Sequence, residues 1–141
     1  MIHVAVCDDD AKERAQLVAA YQAVSAEAGR ESKLTEFAGP EEFLAADPAQ
    51  FDLVFLDIEM PGRSMDGMAL AKVIHDKYKN CTVVLVTNYL EYAPQGYSVG
   101  AYRYLMKPVR KGQLALEVGK LLAEIERRHQ ATFISLKTQQ A

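Results

Sequence analysis

Positive charge is in short supply in this chain. Its 16 Lys and Arg stand against 19 Asp and Glu, a formal net charge of −3. The basic residues are scattered, with one small cluster at Arg127-Arg128-His129. That balance lacks the electrostatic footprint of a domain that grips nucleic acid by itself. Cysteine is scarce too. Cys7 and Cys81 each lie beside an apolar run, so they read as small core residues in a reducing compartment and not as a disulfide framework. No apolar stretch is long enough to span a bilayer. The N-terminal run Ile2–Cys7 is too short for a signal peptide and ends in three acids. Internal repeats and low-complexity segments are missing as well. What remains is the expectation of one cytoplasmic domain, free of the membrane. Half of its 141 residues are hydrophobic, enough for a real core.

Apolar runs and helical patterns alternate along the chain. Ile2–Cys7 reads as a strand, with Ile2, Val4 and Val6 β-branched. Asp10, with Glu13 three residues on, caps a helix to about Ala28 that buries Leu17, Val18, Tyr21, Val24 and Ala28, with Gly29 as its stop. Lys33–Phe37 is half polar, as edge strands often are. Pro40 opens a short helix that ends near Asp47-Pro48. Leu53–Asp57 is an unbroken apolar run stopped by a carboxylate, the pattern of a central parallel strand covered on both faces. Pro61 and Gly62 break the chain into a loop. Asp66 caps the next helix, with Leu70, Ala71, Ile74 and Tyr78 on one face and Lys72, Asp76 and Lys79 on the other. Thr82–Val86 is a further strand, ending at Thr87. Pro94 and Gly96 interrupt the helical segment that follows. Interior Pro costs about 3 kcal/mol and Gly about 1 relative to Ala, so that helix starts at Pro94 or frays before it. Tyr102–Met106 is the last strand. A final helix from about Lys111 to Arg128 places Leu114, Val118, Leu121 and Ile125 at helical spacing, and Ala131–Leu136 begins a new strand-like run.

Five βα repeats imply a doubly wound, flavodoxin-like α/β fold: five parallel strands in the order 2-1-3-4-5, with five helices on both faces. In such sheets ligands bind beyond the C-terminal strand ends. The first strand delivers Asp8 and Asp9 there, the third Asp57, the fourth Thr87 and the fifth Lys107. Singly, each has a bland explanation: a cap, a strand-end hydroxyl, a solvated lysine. Asp57 alone could be a helix cap, a solvated loop residue, a metal ligand or a nucleophile. Together, Asp8, Asp9 and Asp57 would form an acidic pocket whose repulsion a divalent cation relieves. Magnesium is the natural candidate, since it takes oxygen ligands from one or two carboxylates plus water and phosphate.

This set of residues resembles the receiver domains of two-component response regulators. The resemblance rests on Asp8-Asp9, the Asp57 strand with Met60-Pro61, the Met65-Asp66-Gly67 helix start, Thr87 and Lys107-Pro108, and it covers roughly residues 2–128. It implies that Asp57 is the phosphoacceptor, that Asp9 ligates magnesium directly, and that Asp8 does so directly or through water. It implies too that the Glu59 backbone carbonyl completes the metal site, that Thr87 and Lys107 receive phosphoryl oxygens, and that Tyr104 is an aromatic switch. The implied partner is a sensor histidine kinase, with homodimer formation on phosphorylation and slow autodephosphorylation as the only other chemistry. A narrower pattern, Thr87-Asn88-Tyr89-Leu90-Glu91-Tyr92-Ala93 with Gly100-Ala101-Tyr102-Arg103-Tyr104-Leu105-Met106-Lys107-Pro108, resembles receivers attached to LytTR-type DNA-binding domains. On that reading residues 1–129 are the receiver, residues 130–141 are a linker or the start of a missing C-terminal output domain, and DNA is contacted only through that domain.

The chain departs from the family pattern at Arg63-Ser64, an apparent insertion that reads as a solvated loop and sets a cation within possible reach of the pocket. Two other functions share part of this pattern. A haloacid-dehalogenase-type phosphatase also uses a strand-end Asp nucleophile, magnesium and a Lys, but its nucleophile strand comes first and it needs a substrate cap. A receiver fold acting as a phosphorylation-independent interaction module is the stronger rival, although every reactive residue it could have lost is present.

Overall fold

A parallel sheet with both faces covered forms because the strands are apolar on both sides. The computed structural model describes residues 1–140, without the side chains at positions 90 and 135–140. Its elements are β1 (Ile2–Cys7), α1 (Ala11–Glu27), β2 (Ser32–Phe37), α2 (Pro40–Ala45), β3 (Leu53–Asp57), α3 (Gly67–Lys77), β4 (Thr82–Thr87), α4 (Ala93–Ser98), β5 (Arg103–Met106) and α5 (Lys111–Gln140). Short 3-10 turns at Pro48–Gln50 and Leu90–Tyr92 precede β3 and α4. The five strands lie in the order β2-β1-β3-β4-β5, all parallel. This is the flavodoxin-like arrangement expected from the βα repeat.

Period-two alternation along the strands splits the core into two layers. Val4, Val6, Phe55, Val84, Val86 and Leu105 face α1 and α5, where Tyr21, Leu114, Val118 and Leu122 are fully buried. Ala5, Cys7, Val54, Leu56, Val83 and Leu85 face the opposite layer, packed with Phe43, Leu70, Ala71 and Ile74. Each such large side chain contributes roughly 1.5–3 kcal/mol by burial. The central β3, buried at all five positions, therefore anchors the whole sheet.

The caps follow the sequence. Asp10 accepts the Glu13 N–H at 3.0 Å and Asp66 accepts the Ala69 N–H at 2.9 Å, each satisfying one orphan donor at a helix start. Gly29 takes a φ of 66° just past α1, the left-handed geometry that favours glycine. The helix after β4 begins at Ala93 with Pro94 in its first turn, close to the expected start.

Three sequence readings are corrected. Ala28 is exposed at the end of α1 and is not core. Lys79 falls beyond the end of α3. The strand-like run Ala131–Leu136 is helical, because α5 continues unbroken to Gln140. Thr132, Phe133 and Ile134 suit a strand, but among the described residues no strand lies beside them to pair their backbone groups. A helix pairs those groups within itself, and no Gly or Pro after Gly119 stops it. Among the described residues no helix is long and apolar enough to cross a membrane.

Candidate functional site

The C-terminal ends of β1, β3, β4 and β5 converge on one acidic pocket. Asp8 follows β1 and is buried at 3% exposure; Asp57 closes β3 at 6%; Asp9 is exposed. Carboxylate oxygens of Asp8, Asp9 and Asp57 all lie within 4.8 Å of one another. Asp8 Oδ1 accepts the Asp10 N–H at 2.9 Å, which leaves Oδ2 to accept from Lys107 Nζ at 2.8 Å. Asp57 Oδ1 accepts the Glu59 N–H at 3.3 Å and lies 3.3 Å from Lys107 Nζ.

Electrostatics follow from burial and like charge. Burial first, and the Asp8 charge second, push the Asp57 carboxyl well above the usual carboxylate range, and Lys107 pulls against both. Asp9 is raised by burial and by Asp8. Burial alone would lower the Lys107 ammonium, but hydrogen bonds to Asp8 and Glu13, with the charge of Asp57, hold it above its ordinary value. One buried cation thus faces several carboxylates, so the pocket carries net negative charge. Clustered oxygen donors of that sign fit a hard divalent cation such as magnesium.

Gly67 explains how α3 reaches the site. Its N–H donates to the Ile58 carbonyl at 2.9 Å, and a Cβ there would lie 2.0 Å from the Asp57 carbonyl oxygen. Only glycine lets the start of α3 rest on the backbone that carries Asp57. Below the pocket, Cys7 Sγ lies 3.9 Å from Met60 Sδ, both buried.

Thr87 ends β4 with its side chain fully buried, and its Oγ1 accepts the Tyr89 N–H at 3.2 Å. Tyr104 on β5 donates its phenol proton to the carbonyl of Tyr89, the residue whose N–H Thr87 accepts. Burial raises its phenol above the ordinary range. Thr87 and Tyr104 therefore share one short segment, the turn after β4. Glu59 is half-buried and lines an open cleft with Met60, Pro61, Asp66 and Tyr92.

Arg63-Ser64 lies on the surface as expected, with Ser64 exposed and Arg63 half-buried, but its polar groups are tied down. Arg63 Nη1 donates to Glu42 Oε1 at 2.9 Å and to Glu41 Oε2 at 3.3 Å, and Nη2 donates to the Ala38 carbonyl at 3.1 Å. Ser64 donates its N–H and hydroxyl to Glu41 Oε1 at 3.0 and 2.8 Å. The pair latches the β3–α3 loop to α2, and the Arg63 guanidinium turns to these carboxylates instead of entering the pocket. In the sequence Glu13 reads as a capping residue alone. Its carboxylate in fact pairs with Lys107. The available signal was directional: the first turn of a helix that follows a strand lies over that strand's C-terminal end.

A family model described as the response regulator receiver domain matches residues 4–118. An uncharacterised response regulatory protein of Vibrio cholerae is 39% identical over 83 residues, 59% of this chain and 31% of that protein. The sensory transduction protein LytT of Oceanobacillus iheyensis is 29% identical over 72 residues, 50% of this chain and 28% of that protein. The chain thus spans less than a third of either relative. Among solved structures, the receiver domain of AraT, a response regulator from Geobacillus stearothermophilus, aligns at a TM-score of 0.74 with 26% identity, over 91% of this chain and 98% of that one.

Proposed function

Because the chain belongs to the response regulator receiver domain family, we propose that it is a phosphoacceptor whose Asp57 takes a phosphoryl group from a sensor histidine kinase. The observation that carries the proposal is the placement of Asp57, buried beside Asp8 and Asp9 and within 3.3 Å of Lys107.

An Asp57 carboxylate oxygen attacks phosphorus, the P–N bond to the kinase histidine breaks, and an acyl phosphate forms. Asp57 acts ionised and has no proton to lose, so positioning and charge neutralisation supply most of the catalysis. Asp8, Asp9, Asp57 and the Glu59 carbonyl would hold magnesium, which would supply charge neutralisation at the phosphoryl oxygens. Lys107 turns the N–H that faces Asp57 toward a phosphoryl oxygen and, keeping its proton, donates a charge-assisted hydrogen bond. Thr87 gives up the Tyr89 N–H contact and donates its hydroxyl to another oxygen. That displacement alters the turn that Tyr104 holds through the Tyr89 carbonyl, and so shifts a population between two states of α4 and β5. Slow hydrolysis of the acyl phosphate resets the domain, which modifies itself and turns over no other substrate.

The tyrosine-rich α4–β5 pattern and the likeness to LytT support a LytTR-type DNA-binding output beyond residues 130–141, engaged when two receivers pair. On this reading the protein is cytoplasmic and meets DNA only through that second domain. Labelled acetyl phosphate with magnesium tests the core claim. A hydroxylamine-labile label marks an acyl phosphate; no label at all favours the phosphorylation-independent interaction module.

A further inference from the structure

Lys107 is held from two elements at once. Its Nζ lies 2.8 Å from Asp8 Oδ2 and also pairs with Glu13 Oε2, while Asp57 Oδ1 stands farther off at 3.3 Å. An ammonium bonds only through its protons: Lys107 donates hydrogen bonds to Asp8 and Glu13, whereas Asp57 meets it as an ion pair alone. Glu13 reaches the pair from outside the strand ends. It sits in the first turn of α1, where the Asp10 cap fixes its backbone N–H. The Lys107 side chain is only 8% exposed, so protein carboxylates, not water, must balance its charge.

Lys107 and a divalent cation compete for the same oxygens. Without the Glu13 carboxylate, only Asp8 and Asp57 remain within reach of the ammonium, and it would settle more closely on Asp57. We infer that Glu13 is a positioning residue: by sharing Lys107 with Asp8 it holds the ammonium back from Asp57, so that the Asp57 oxygens stay open to a cation and a phosphodonor. The inference rests on the reading of Asp57 as a phosphoacceptor in a magnesium pocket. A plainer role for Glu13 is to add one more negative charge near the metal. The two differ in whether the effect passes through Lys107.

Calorimetric titration of magnesium into the whole chain separates them. The set is wild type, Glu13→Gln, Lys107→Met and the double variant, each with its unfolding temperature in chelator as a check on folding. Glu13→Gln should weaken magnesium binding about five-fold or more when Lys107 is present, and by less than about two-fold when it is Met. Glu13→Asp keeps the charge but shortens the reach, so it should weaken binding as Gln does. Equal losses in both backgrounds, tighter binding by Glu13→Gln, or a wild-type affinity for Glu13→Asp would each overturn the inference. A wild-type chain that binds no magnesium overturns the reading of the site and this inference with it. Wild-type binding with an uncoupled cycle overturns the inference alone.

Discussion

The Tyr104 ring packs directly against Gly96. A Cβ at position 96 would lie 3.0 Å from Tyr104 Cδ2 and 2.9 Å from Cδ1 of the fully buried Leu85, so both side chains would have to shift. Two effects of Gly96→Ala oppose each other. Helix propensity favours Ala by about 1 kcal/mol, whereas overpacking costs about 1–3 kcal/mol. Packing wins here, so Gly96→Ala should lower the thermal midpoint by a few degrees. A raised midpoint would show that α4 sits less tightly on β5 than this contact implies.

Magnesium should raise the unfolding temperature, because only the folded chain brings Asp8, Asp9 and Asp57 together. Asp9 is exposed, so Asp9→Ala should fold normally and lose most of that rise. Differential scanning calorimetry with and without the ion makes the comparison. A rise as large in Asp9→Ala as in wild type would place the ion elsewhere.

In chelator, Asp57 should make the protein less stable as pH rises. Burial and the Asp8 charge raise its carboxyl from 3.8 to about 7 in the fold. The native state therefore binds more protons than the unfolded chain between those values. The contribution is full below about pH 4 and is lost as pH climbs through about 7. Asp57→Asn carries no titrating group there. Its midpoint should exceed that of wild type by several degrees at pH 8, and the gap should narrow toward pH 4. A gap that widens on acidification would mean that Lys107 holds Asp57 ionised in the fold.

Phosphorylation should move the monomer–dimer balance through α4, β5 and α5. Sedimentation with beryllofluoride and magnesium should show more dimer than apo protein. Tyr104→Ala removes the phenol that holds the Tyr89 carbonyl, so the response should shrink. An unchanged balance in wild type would send the output through some other contact. An equal response in Tyr104→Ala would acquit the dimer and sink the switch.

The fold was legible because each strand end and helix cap is written locally: Leu53–Asp57 by its apolar run, α1 and α3 by Asp10 and Asp66. The members of the pocket were legible because topology alone delivers strand ends to one edge. Local pattern has no access to partners far apart in the chain. Glu13 meets Lys107 across 94 residues, and nothing around either one announces the other. Gly96 reads as a helix breaker in sequence, yet its reason lies in the Tyr104 ring. Arg63 reads as solvated because its partners Glu41 and Glu42 belong to another element. Ala131–Leu136 differs for the opposite reason: its strand propensity is real, but among the described residues no strand stands beside it to pair with.

Asp57 as the phosphoacceptor is the central claim, and intact mass spectrometry addresses it most directly. Wild type and Asp57→Asn are incubated with acetyl phosphate, each with magnesium and with chelator. Wild type with magnesium should gain the mass of a single phosphoryl group, wild type in chelator little or none, and Asp57→Asn none in either condition. The same gain in Asp57→Asn, or a modification mapped to a Ser or Thr, would contradict the account.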